Sequence, residues 1–189
     1  MQGDWPITVA EVRVFLPEAE RLKVDGGPRG GLEVLDSSGS KIGYVVRTMP
    51  ESREITGYSG PTDVLAVFDT QDKGVGVAIR HSYDTPSHVE DVERDFLFME
   101  KWNGRLWSEI AGITDLKAAD IYGVSGATRT SEAVAQSITH RLAVAEGKAG
   151  MKRSLLVLPG AALLVFSAAC GPKYDSQRWE AAEKETQRQ

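Results

Sequence analysis

Residues 62–82 read TDVLAVFDTQDKGVGVAIRHS. Two β-rich apolar runs flank a polar stretch around Asp72-Lys73-Gly74. Runs this short, rich in β-branched residues and bounded by turn residues, are strand patterns, and two of them so closely spaced predict a β-hairpin. Upstream, residues 31–48, GLEVLDSSGSKIGYVVRT, repeat the arrangement around Ser37-Ser38-Gly39. Two successive hairpins with helical patterns before and after them predict an α+β domain, an antiparallel sheet built from hairpins and covered by helices. Nothing alternates in the manner of a βαβ nucleotide fold.

The helical patterns lie on both sides of the hairpins. Val9, Val12, Phe15, Leu16 and Ala19 predict a helix over residues 8–20, despite Pro17 within it. A second helix is expected over 87–103, with Val89, Val92, Phe96 and Met99 to Trp102 on one side, ended by Asn103-Gly104. Its acidic run, Glu90, Asp91, Glu93 and Asp95, reads as a solvated helix start favoured by the dipole. The last helix is expected from Thr130 to Glu146, striped by Val134, Ile138 and Leu142 and closed by Gly147.

The chain has 189 residues, enough for one domain over 1–147 and an appendage. Its net charge is −5 and its basic residues are scattered, so no nucleic-acid footprint is present. A single cysteine, Cys170, excludes an internal disulfide and any multi-cysteine metal or cluster site within this chain. The three histidines, His81, His88 and His140, are too dispersed to form a recognised metal pattern, so no metal site is expected.

The N-terminal stretch carries neither a basic region nor an apolar run, whereas residues 151–171, MKRSLLVLPGAALLVFSAACG, have the anatomy of a signal peptide. Met-Lys-Arg precedes an apolar stretch from Leu155 to Phe166, and Ser167 to Gly171 resembles a lipobox, in which the cysteine is lipidated. Read in place, residues 154–171 predict a membrane anchor, with 172–189 as a polar tail. Read literally, Met151 looks like the start of a small lipoprotein joined to the domain. Lys148, Lys152 and Arg153 favour a cytoplasmic location for the residues just before the apolar stretch.

The stretch 123–134, GVSGATRTSEAV, concentrates hydroxyls just before the last helix. As a simple helix entrance, its Ser and Thr side chains cap free N–H groups. A nucleophile elbow would require Gly in place of Ala127 and a better preceding strand than AADIY. A phosphate-binding P-loop would need Gly-Lys-Ser/Thr, which is missing.

Ser125-Gly126-Ala127-Thr128, followed by Arg129-Thr130-Ser131 and a helix, resembles the flavinylation motif of FMN-binding domains. Such domains occur in the Rnf and sodium-pumping NADH:quinone reductase complexes and in regulators of nitrous-oxide-reductase maturation. Two other segments are similar to that family: Gly57-Tyr58-Ser59-Gly60 before the second hairpin, and Asp84-Thr85-Pro86 where Glu-Thr-Pro is common. The similarity spans roughly residues 30–146. It implies FMN joined by a flavin transferase, through a phosphoester, to the hydroxyl of Thr128. Ser125, Gly126, Ala127, Arg129 and Thr130 would line the attachment loop, with Asp84 and Thr85 facing it. Departures are Tyr122 where the family usually has Asp, and Ser87-His88 in place of glycines.

The resemblance further implies an electron carrier or subunit of a redox complex, without catalytic residues of its own, outside the cytoplasm in a bacterial cell envelope. Its partners would be membrane redox proteins. An alternative of another class is a noncovalent FMN-binding or flavin-free regulatory module anchored at the membrane, and a third is a lipoprotein-like interaction domain without a redox role. Tyr58, Tyr83, Trp102 and Trp107 are candidates to stack on a flavin ring, although aromatics so placed more often belong to the core.

Overall fold

Both hairpins form, and an aspartate begins each turn. In a computed structural model describing residues 6–27, 29–121 and 123–153, with 148–153 as helical backbone, β2 (Leu32–Leu35) pairs with β3 (Lys41–Arg47) and β4 (Thr62–Asp69) with β5 (Gly74–Ser82). Asp36 Oδ1 accepts from Ser40 N, and Asp69 Oδ1 accepts from Gln71 N and Lys73 N. Such side-chain turns satisfy backbone donors that the ladder leaves over. The first turn needs a left-handed residue, supplied by Gly39 at φ 85°.

The sheet has five antiparallel strands in the order β1-β2-β3-β4-β5, the two hairpins being joined at β2 by an additional edge strand, β1 (Arg21–Val24). Its residues are mostly exposed and carry two cations, as suits an edge that must not pair further, and for that reason no apolar alternation announces it.

Both faces of the central strands are covered. Val64 to Phe68 are all buried, the mark of a strand with packing on either side. On one face, α5 (Thr128–Arg153) lies against β4 with Val134, Ile138 and Leu142 fully buried, and Trp107 of α4 (Trp107–Ala111) packs on Phe68 and Tyr44. On the other, Phe15 and Leu16 sit directly over Gly76 and Gly43, where any Cβ would strike them.

Three helices differ from expectation. α1 is only Val9–Arg13. Pro17 excludes the carbonyl four residues back, that of Arg13, and the helix stops there. The second expected helix is divided into α2 (Pro86–Arg94), α3 (Phe96–Met99) and a 3-10 turn, Glu100–Trp102. Asp95 leaves helical geometry at ψ 86° and its side chain accepts from Phe98 N at 2.9 Å, so it caps a new helix rather than continuing the old one. α5 begins two residues before Thr130 and passes through Gly147. The acidic run therefore sits in the second half of α2 and at the break, with no acid in the first turn.

Among the described residues, no helix is long and apolar enough to cross a membrane. The expected anchor, lipobox and tail at 154–189 lie outside the described residues, as does Tyr122.

Candidate functional site

The loop before α5 is shaped by small residues. Gly126 is left-handed at φ 84°, and a Cβ on Gly123 would come within 2.7 Å of Thr128 Cγ2, so the Thr128 side chain lies over a position that only glycine fits. Val124 and Ala127 point inward, whereas Ser125, Thr128 and Arg129 are exposed. Thr128 Oγ1 donates to Val124 O at 3.3 Å, keeping the oxygen at the loop surface. The first residues of a helix have N–H groups without intrahelical acceptors, and with the dipole these make the start of α5 a place for negative charge.

Two further hydroxyls hold this geometry. Ser131 Oγ accepts from Val124 N at 2.9 Å and is within donating distance of the Ala127 and Thr128 carbonyls. Thr130, 1 % exposed, faces the protein and donates to Asp84 Oδ2 at 2.7 Å. Thr130 thus ties the loop to the segment after β5, a role beyond that of a helix-entrance hydroxyl.

Asp84 is the hub of that segment. Besides Thr130 it accepts from the backbone N–H groups of Tyr58, Ser59 and Thr85 at 2.6–3.0 Å. Burial pushes its carboxyl up, but the Thr130 hydroxyl and the three N–H groups outweigh burial and hold it below the usual aspartate range. Gly57 lies against this carboxylate, and a Cβ there would fall on Asp84 itself. A Cβ on Gly60 would meet the Tyr83 carbonyl oxygen at 2.6 Å. Both glycines of Gly-Tyr-Ser-Gly are therefore required by close approach. The hydroxyls of Ser59 and Thr85 are 2.9 Å apart and complete the connection.

The structure thus brings together all three segments singled out in the sequence. Ser125, Thr128 and Arg129 are exposed on the loop, Thr130 and Asp84 join it from beneath to Thr85 and the Gly57–Gly60 segment, and Arg129 lies 6.0 Å from the ring centre of Tyr58. Tyr58 and Tyr83 are 62 % and 44 % exposed, Tyr58 meeting His88 edge-on at 5.3 Å. Trp102 and Trp107 are core residues, so neither is available to a ring at this surface. Ser59 could not be recognised as an anchor from the sequence, because the partner of its hydroxyl, Thr85, lies 26 positions away.

Beside Val124 and Ser125 an open groove of about 490 Å3 is bounded by Asp91, Arg94 and Asp95 and by the exposed Phe96 and Leu97. Only the exposed apolar pair could have pointed to it, and the periodicity placed Phe96 on the buried side.

An anion suits this loop, where the exposed Thr128, the start of α5 and the exposed Arg129 lie side by side. No match was found among curated proteins. Residues 57–143 match the family model described as FMN-binding domain, spanning all three segments. This region of the chain belongs to the FMN-binding domain family, and FMN is its cofactor.

Proposed function

We propose that the chain is a membrane-associated electron-transfer flavoprotein domain that carries FMN as a phosphoester on Thr128. The observation that supports this most is the exposed Thr128 hydroxyl, set over Gly123 at the start of α5 while its neighbours Thr130 and Ser131 are committed to the fold. Of the three, only Thr128 is free to carry a group without dismantling the loop. Esterification would remove its single donor bond, to Val124 O, and leave the Ser131 and Asp84 bonds in place.

FMN, when bound, supplies a flavin that takes up and releases electrons. The protein's share is to bind and orient. Helix-start N–H groups and Arg129 favour the phosphate, while Asp84 fixes the Gly57–Gly60 loop against the attachment segment. Asp84 is held ionised by four donors, which makes it a positioning residue and a poor proton acceptor. A carrier therefore suits the site better than a stand-alone catalyst. Residues 154–171 would supply the membrane attachment, and a flavin transferase the modification.

The test is expression of the full chain with a flavin transferase and FAD, followed by denaturing electrophoresis under ultraviolet light. Fluorescence at the intact mass is expected, and none from Thr128→Val, which should still fold. Yellow protein that loses its colour on denaturation would establish noncovalent binding instead. Fluorescence persisting in Thr128→Val would move the attachment to another hydroxyl.

A further inference from the structure

We propose that the face made by Phe96, Leu97 and the acidic half of α2 docks a redox protein with an apolar centre and a basic rim, beside the Thr128 loop. The inference rests on the electron-carrier reading. Phe96 and Leu97 are 49 % and 79 % exposed at the start of α3, although the next two residues, Phe98 and Met99, turn inward and are buried. The pair borders the groove that Val124 and Ser125 close on the other side. Ser125 is three residues from Thr128, a span of at most about 11 Å. A protein seated here comes close to any group carried on Thr128.

The charge around the pair is one-sided. Residues 90–101 carry five carboxylates and two cations. Glu90, Asp91 and Glu93 occupy the second half of α2, where the helix dipole disfavours negative charge. Glu90 pairs with Arg94 at 3.1 Å, both side chains remaining largely exposed. An acidic rim about an apolar centre speeds encounter with a basic partner and excludes others. A second copy of this chain would bring like charges together, and an anionic bilayer surface would be repelled.

The experiment uses the flavin-loaded full chain, reduced, with a basic c-type cytochrome as the probe of partner chemistry and a small neutral quinone as control. Glu90→Lys and Leu97→Ser are expected to slow cytochrome reduction at least fivefold at low salt, with oxidation by the quinone unchanged within twofold. Raising the salt should slow the parent and narrow its advantage over Glu90→Lys. A second arm measures binding of oxidised cytochrome to the chain without flavin, which Glu90→Lys should weaken at least fivefold. Rates and affinities equal to the parent's in both variants would overturn the proposal. So would a shifted flavin absorption band in Leu97→Ser, which would mean that the groove holds the flavin itself. Absence of covalent flavin would count against the carrier reading alone, since the binding arm still reports on this face.

Discussion

At the scale of single residues, the Asp84–Thr130 bond carries the greatest consequence. A hydrogen bond to a charged group contributes about 1.5–3 kcal/mol, and Thr130→Val leaves a buried carboxylate short of one donor. That variant is expected to lose stability of this order in urea unfolding, whereas Thr128→Val, at an exposed hydroxyl, should lose much less. The pH dependence follows from the depressed folded-state value of Asp84. Its contribution is fully present above the ordinary aspartate pKa, about 3.9, and is lost as pH falls through the lower folded value. Asp84→Asn should therefore be clearly less stable than the parent at pH 7, and the gap should narrow below about pH 4. A gap unchanged at pH 3 would show that the lost bonds, not the charge, matter. Asp84 and Thr128 could be singled out in the sequence because both fall in short motifs. The role of Thr130 was not, because its partner lies 46 positions away and only the fold joins them.

At the scale of elements, hairpins were readable and helix ends were not. A hairpin declares itself locally, through two β-rich runs and a turn, and both were found with their pairing correct. The helices failed wherever one side chain outweighed apolar periodicity. Pro17 ended α1 early, and Asp95 diverted its own side chain to the backbone and started α3. If that capping bond is what divides the helix, Asp95→Ala should cost about 0.5–2 kcal/mol, the usual worth of an N-cap. Amide exchange at Phe98, the donor of the bond, should speed up, while exchange in α5 stays as in the parent. Unchanged protection at Phe98 would mean that packing of Phe98 and Met99, not the cap, holds α3. The Gly57 position tests the other end of the site: Gly57→Ala forces a methyl group onto the Asp84 carboxylate, and loss of both stability and flavin attachment is expected.

For the whole molecule, the question is what keeps the sheet, its N-terminal cover and the site segments in one arrangement. The apolar core supplies the driving force, but it is a charge cluster that joins α1 to the β4–β5 hairpin. Arg80, with its side chain 5 % exposed, donates to Glu11 Oε1 at 2.6 Å and reaches Asp63 at 3.4 Å, both carboxylates being nearly buried. Arg47 also pairs with Asp63, at 2.9 Å, and Asp63 accepts from Met49 N. Burying such ions is costly, and their mutual attraction does little more than offset that cost. Removing one member is different, because its partners stay buried without compensation. Glu11 depends on Arg80 for its cation, while Asp63 keeps Arg47. Arg80→Met is thus expected to destabilise the fold by about 3–5 kcal/mol in denaturant unfolding. Arg94→Ala breaks an ion pair whose side chains are 73 % and 57 % exposed and should cost no more than about 0.5 kcal/mol. Adding Glu11→Gln to Arg80→Met should recover part of the loss, since it removes the stranded charge. If instead the double variant is less stable than Arg80→Met by the full cost of a second independent lesion, Glu11 acts through its bonds to Thr8 at the start of α1, and the cluster is not the clamp between that helix and the sheet.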